Sequence, residues 1–136
     1  MIEFFIPLEK IPTVTNQQKK VTWNHKTNTP IFYDPPELKN AKVLFTNNLL
    51  KHKPEKPLKG ALRLITKWCF GTSDKKKVGK YKYTKPDTDN LIKAFKDQMT
   101  KLNFWEDDAQ VASEITEKFY NDVVGIYVNL EVIDEI

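Results

Sequence analysis

Residues 62–70 read Leu-Arg-Leu-Ile-Thr-Lys-Trp-Cys-Phe. Leu62, Leu64, Thr66, Trp68 and Phe70 alternate with Arg63, Ile65, Lys67 and Cys69, the two-residue period of a strand laid against a core, and Gly71 ends it. Downstream, Leu91, Ile92, Phe95, Met99 and Leu102 recur on one helical face, so the spacing predicts a helix from Asp87 or Thr88. Pro86 and the aspartates stand at its start, where free amides want acceptors, and Asn103 is its stop. Val111, Ser113, Ile115, Glu117 and Phe119 alternate next. After Asn121-Asp122-Val123-Val124-Gly125, so do Ile126, Val128, Leu130 and Val132. These two runs read as a closing hairpin.

Upstream of the strand, Leu38, Ala41, Val43, Leu44, Phe45, Leu49 and Leu50 recur at helical spacing between Pro35-Pro36 and Pro54, which predicts a second helix. Ile2–Ile6 is a short apolar strand, and Val21–Asn24 with Ile31–Tyr33 reads as a hairpin across His25-Lys26-Thr27-Asn28-Thr29. The order β-(hairpin)-α-β-α-β-β predicts an α+β fold. It is a single domain over residues 1–136, with a roughly four-stranded mixed sheet carrying two main helices on one face.

Composition bounds the function. A chain of 136 residues, 40% hydrophobic and 12% aromatic, supports one core and is too apolar for a disordered tail. The N-terminal apolar run Phe4–Leu8 is short and bracketed by Glu3 and Glu9, so neither a signal peptide nor a membrane span is expected. A soluble, cytoplasmic protein is the expectation. One cysteine, Cys69, and two histidines, His25 and His52, leave no intrachain disulfide and no thiolate or imidazole zinc set. A bound metal would need oxygen ligands. Both histidines read as surface residues, and Cys69 as a small buried side chain.

Charge is segregated. Residues 51–85 hold twelve Lys/Arg against Glu55 and Asp74, a local +10, whereas residues 86–136 hold four Lys against twelve acids, a local −8. The segment GTSDKKKVGKYKYTK, residues 71–85, follows neither burial period and is expected to be a flexible basic loop. Its Lys75, Lys76, Lys77, Lys80, Lys82 and Lys85 suit a phosphate backbone, and the interleaved Tyr81 and Tyr83 suit stacking on unpaired bases.

Abutting the loop is Lys85-Pro86-Asp87-Thr88-Asp89-Asn90-Leu91-Ile92-Lys93, and beyond the helix comes Trp105-Glu106-Asp107-Asp108. Residues two apart in an extended approach point the same way, so Asp87 and Asp89 can converge. Lys93 lies one turn beyond Asp89. A helix folded back on the sheet would return Asp107 or Asp108 to the same place. Taken singly, each feature has an ordinary structural reading: a helix cap, a solvated acidic pair, a surface ion pair. Together they imply more, because carboxylates about 4 Å apart repel by roughly 4 kcal/mol at an effective dielectric of 20, and a hard divalent cation compensates them. Mg²⁺ bridging carboxylates and phosphate oxygens implies phosphodiester hydrolysis. An EF-hand-type calcium loop is excluded by Leu91 and Ile92, which stand where an oxygen ligand and a glycine would be required. Phe104 and Trp105 read as core anchors for the second acidic pair.

The compound motif Lys-Pro-Asp-Thr-Asp-Asn-Leu-Ile-Lys, then a helix, then Phe-Trp-Glu-Asp-Asp-Ala-Gln-Val, closely resembles the RusA family of Holliday junction resolvases of phages and prophages. The match is close from Lys85 to Val111, and length and element order agree over nearly the whole chain. The resemblance implies three metal-binding catalytic aspartates at Asp87, Asp89 and Asp108, and a functional lysine at Lys93. Asp107 and Asn90 take supporting roles. It further implies a Mg²⁺-dependent endonuclease, with Mn²⁺ substituting, that nicks opposing strands of four-way DNA junctions. Such an enzyme would act as a homodimer in the bacterial cytoplasm, without a small-molecule cofactor or a membrane. Two other readings stay open at this point: a non-catalytic branched-DNA-binding module, and a metal-dependent nuclease acting on flaps or other branched DNA.

Overall fold

The strand at the centre of the fold is β4 (Ala61–Phe70), in which every second side chain from Leu62 to Trp68 is fully buried. The computed structural model of the chain describes residues 1–13 and 20–135. Around β4 run β1 (Ile2–Pro7), β2 (Lys20–Asn24), β3 (Thr29–Tyr33), α1 (Pro36–Leu49), α2 (Thr88–Lys101), β5 (Val111–Tyr120) and β6 (Gly125–Asp134). Strands β2 and β3 form their own two-stranded ribbon. The others make a four-stranded mixed sheet in the order β1-β6-β4-β5, with β4 and β5 parallel and the remaining pairs antiparallel. The expected α+β architecture with two main helices is the one observed.

Both helices meet the same sheet face, because one side chain touches both. The Trp68 ring meets Phe45 of α1 edge-on at 6.0 Å and Phe95 of α2 at 5.5 Å, and those two rings meet each other at 5.2 Å. Edge-to-face pairs of this kind add about 0.5–1.5 kcal/mol each beyond the area they bury. The Trp68 indole N–H donates to the buried Thr66 hydroxyl at 2.9 Å, so the polar groups inside this cluster partner one another. In α1 the buried stripe is Leu38, Ala41, Phe45 and Leu49, while Val43, and Leu50 just past the helix end, face solvent. Helix α2 stops as expected. Asn103 adopts a left-handed φ of 62°, and Phe104 and Trp105 then turn fully into the core.

The closing hairpin expected of the last two strands is not formed. Strand β4 lies between β5 and β6 and pairs with both. Residues 121–124 carry the chain over the end of β4, where the Asn121 N–H donates to the Phe70 carbonyl at 2.8 Å. Two inter-strand spacings of about 4.8 Å lie within the reach of such a link at about 3.3 Å per residue. Alternation reports that a segment is a strand and says nothing about its neighbour.

Strand β5 departs from simple alternation too. Leu62 pairs with Val111 but Arg63 pairs with Ser113, a register shift that makes Ala112 an extra residue. From there Glu114, Thr116 and Lys118 align with Leu64, Thr66 and Trp68, the strand positions under the helices, while Ser113, Ile115, Glu117 and Phe119 go to the uncovered face. The apolar-looking series from Val111 to Phe119 therefore does not share one face.

The basic loop has local structure. Lys75–Lys77 form a short 3-10 turn capped by Asp74. Residues 79–82 run along the outer edge of β5, with Gly79 N–H to Tyr120 O at 2.7 Å, Tyr120 N–H to Lys80 O at 3.0 Å and Lys82 N–H to Lys118 O at 2.9 Å. The end of the edge strand, Lys118–Tyr120, is thereby covered.

Candidate active site

The first acidic segment is positioned from the sheet. Lys118 of β5 reaches across and donates from Nζ to Thr84 O at 2.6 Å and Pro86 O at 2.7 Å, holding the chain just before Asp87. Asp87 occupies the position preceding α2 with an extended backbone, yet its carboxylate makes no capping bond. The ordinary cap reading of Asp87 is thus not realised. Asp89 lies in the first turn, where the helix amides favour negative charge. Asn90 is half-buried beside it, and Lys93 stands exposed one turn on.

The second segment is held by a residue that sequence reasoning passed over. Gln110 Oε1 accepts from the amides of Glu106 at 3.0 Å and Asp107 at 3.1 Å, while its Nε2 donates to Leu58 O at 3.0 Å and Gly60 O at 3.1 Å. The acidic turn is thereby pinned to the chain leading into β4. Phe104 O, which accepts from Leu58 N–H at 2.9 Å, ties the same two segments a few residues earlier. The two adjacent aspartates separate in role. Asp107 accepts from Ala109 N–H at 2.8 Å and caps the short 3-10 turn Asp108–Gln110, whereas Asp108 alone of the two lines the cavity shared with Asp89 and Lys93.

That cavity, about 450 Å³, lies between α2 and β5. Asp89, Lys93 and Asp108 line it together with Asp97, Glu114 and Thr116, and Lys96 spans its wall through a 3.2 Å ion pair to Glu114. Asp87 and Asn90 are outside its lining. The donor set suits a hard cation, being carboxylate and hydroxyl oxygen throughout. Among the described residues, no three His, Cys, Asp or Glu side chains converge closely enough to form a finished metal cage. Asp87, Asp89, Asp108 and Lys93 are all exposed at an open surface, which a polymer's phosphate can reach.

Asp97, Lys96 and Glu114 were not singled out from sequence. A signal for the first two exists: Asp89, Lys93 and Lys96-Asp97 follow helical spacing and make a polar stripe beside the apolar one. Glu114 carries none, because the register shift at Ala112 decides its face.

The basic residues surround a nearby aromatic patch. Lys82 Nζ sits 5.3 Å from the Phe70 ring centre and 5.1 Å from that of Tyr120, over which Lys77 Nζ also lies, at 5.4 Å. A hydrogen bond with Thr84, assisted by the nearby Lys82 and Lys77 ammoniums, holds the Tyr120 phenol below its ordinary pKa. Tyr81 is engaged within the protein. Its ring stacks on Phe119 at 4.5 Å and its hydroxyl donates to Glu117 at 2.9 Å, which raises its pKa. Tyr83 is 93% exposed and its ring is open. Lys75, Lys76, Lys80 and Lys85 are exposed as well. Of the remaining candidates, Cys69 is buried and free, with its thiol pushed up chiefly by burial. His52 is half-buried and stacked on Phe4 at 4.1 Å, and His25 is exposed. No helix among the described residues is long and apolar enough to cross a membrane.

Residues 10–131 match the family model described as Endodeoxyribonuclease RusA. The chain is 34% identical over 113 residues to the crossover junction endodeoxyribonuclease rusA of Lactococcus phage r1t, covering 80% of this chain and 81% of that protein.

Proposed function

The chain belongs to the RusA endodeoxyribonuclease family, and from that premise we propose that its acidic cavity hydrolyses backbone phosphodiesters of four-way DNA junctions, nicking two opposing strands symmetrically. The observation that carries this reading is the meeting of Asp89, Lys93 and Asp108 at one open cavity, although the first two come from the start of α2 and the third from the turn beyond its far end. Asp89 and Asp108, joined by Asp87 from its uncapped position, would hold a divalent cation, Mg²⁺ with Mn²⁺ substituting. Bound there, the ion supplies Lewis acidity toward the phosphoryl oxygen and a more acidic water. Lys93 offers its ammonium to the scissile phosphate. Asp107 and Asn90 act in support, by holding the turn and the start of the helix. Lys75, Lys76, Lys77, Lys80, Lys82 and Lys85 provide a salt-dependent hold on the DNA backbone, with Tyr81 and Tyr83 beside them.

Among the described residues each chain carries one such cavity and so makes one incision. Paired symmetric cuts across a two-fold junction call for a homodimer with matching symmetry. As a phage-type enzyme it would act in the cytoplasm of a bacterial host, needing neither a membrane nor a small-molecule cofactor. The test is a labelled, partly mobile four-way junction incubated with Mg²⁺ or with EDTA, beside flapped DNA and a linear duplex of matched sequence. Paired nicks that require the metal and spare the other substrates are expected. Asp87→Asn, Asp89→Asn and Asp108→Asn should each stop cutting while leaving junction binding intact. Tight binding with no cutting in Mg²⁺ or Mn²⁺ would favour the binding-module reading, and preferential cutting of flaps the other nuclease reading.

A further inference from the structure

The β2–β3 ribbon plays no part in the cavity, yet it has the build of a contact element. Val21 lies opposite Phe32 and Trp23 opposite Pro30, so these four side chains share one side of the ribbon. Val21 is 56%, Phe32 69% and Trp23 47% exposed. The turn is well formed. Asn24 Oδ1 accepts from the amides of Lys26 and Thr27 at 3.0 and 3.3 Å, and Asn28 takes the left-handed φ of 56° that closes it. A stiff two-stranded ribbon therefore presents an apolar, aromatic stripe to solvent, at a cost in hydration that a lone surface residue would not carry.

Charge identifies what the stripe meets. From Lys20 to Tyr33 the ribbon's sequence contains two lysines, Lys20 and Lys26, and no acid. Pairing the ribbon with the ribbon of a second copy would oppose like charges, whereas a polyanion complements them. Position agrees. Asp34, directly after β3, is paired with Lys42 of α1 at 2.8 Å, and Lys42 lines, with Asp97, Asp107 and Asp108, a cavity that shares Asp97 and Asp108 with the acidic one. The root of the ribbon thus stands beside the proposed cutting site. Aromatic faces gain from bases only where bases are unstacked, and a fully paired duplex offers none except at its ends.

Building on the functional reading above, we infer that the β2–β3 ribbon is a second DNA contact, on which unpaired bases at the branch point stack against Trp23 and Phe32 while Lys26 meets a flanking phosphate. The chain itself provides the probe. Of its three tryptophans, Trp68 and Trp105 are fully buried, so fluorescence quenchable by acrylamide belongs to Trp23. Saturating four-way junction, in EDTA to prevent cutting, should reduce that quenching by at least about twofold, while matched linear duplex should leave it unchanged. Trp23→Ala and Phe32→Ala should each weaken junction binding, followed by anisotropy, about tenfold, in line with the loss of one stacked base. Bound junction with Trp23 still fully quenchable would overturn the assignment. So would equal protection by duplex, or protection that rises with protein concentration without DNA, which would give the stripe to a second copy. Absence of junction binding by the unaltered protein would overturn the functional reading instead, and this inference with it.

Discussion

Replacing Gln110 by Ala tests whether one amide side chain holds the second acidic segment in place. The substitution removes four hydrogen bonds of 3.0–3.1 Å. Each is worth about 0.5–1.5 kcal/mol net, but the amides of Glu106 and Asp107 lie in exposed residues and can turn to water. The Leu58 and Gly60 carbonyls are less accessible, so a net loss of about 2–3 kcal/mol is expected. In a chain of this size that lowers Tm by roughly 6–12 °C. The effect on rate should exceed what stability explains. With Asp108 released from its fixed turn, a displacement near 1 Å lowers single-turnover cleavage by about 100-fold. Junction affinity should stay within about threefold, because phosphate contacts made elsewhere dominate it. Gln110→Glu gives a second arm, since it keeps an acceptor for the two amides but turns a carboxylate oxygen toward two carbonyls. It should be at least as damaging as alanine. Denaturation monitored by circular dichroism gives the stability term, and cleavage at 20 °C, where both variants remain folded, gives the rate. A cleavage rate within twofold of the parent despite a clear loss of stability would refute the positioning argument and leave Gln110 a structural residue only.

Lys118→Met should slow cleavage about tenfold or more by freeing the Thr84 and Pro86 carbonyls ahead of Asp87, with Lys118→Arg recovering part of the rate; equal rates for Met and the parent would refute it. Gly125→Ala would place a Cβ 2.2 Å from the Ile6 carbonyl and against the Phe5 ring, so a loss of about 2–4 kcal/mol is expected in urea denaturation. Buried Gln98 donates nothing from Nε2 among the described residues, while its Oε1 accepts from Thr46; Gln98→Met should therefore be neutral or stabilising by up to about 1 kcal/mol, and a clear loss in the same assay would contradict that accounting. Burial holds the Cys69 thiol protonated above its ordinary pKa, so iodoacetamide at pH 8 should label it far more slowly in the folded protein than in urea. Equal labelling rates would refute its burial.

Much of the candidate site was legible because its titratable residues are concentrated. Asp87, Asp89, Lys93 and the Asp107-Asp108 pair stand in two short segments, and a dense cluster of acids beside a basic stretch is unusual whatever the fold. Other parts were not legible. Gln110 looks like any polar residue at a turn, and its importance comes from four partners, two of them about fifty residues away. Lys118 reads as one more surface lysine until β5 is laid beside β4 and its ammonium reaches the residues before α2.

The sequence by itself determined the elements, since helix and strand periods are properties of neighbouring residues, and it determined that acidic residues would stand at both ends of α2. Strand order was decided only in three dimensions. The alternating runs in β5 and β6 are compatible with pairing to each other, and β4 takes the place between them because its Leu62, Leu64 and Trp68 belong at the centre of the core. The register shift at Ala112 then decided which face of β5 carries Glu114 and Lys118 toward the helices. Local capping separated Asp107, spent on its own turn, from Asp108, which lines the cavity shared with Asp89 and Lys93. Each of these outcomes depends on contacts between residues distant in the chain, and local periodicity carries no information about those.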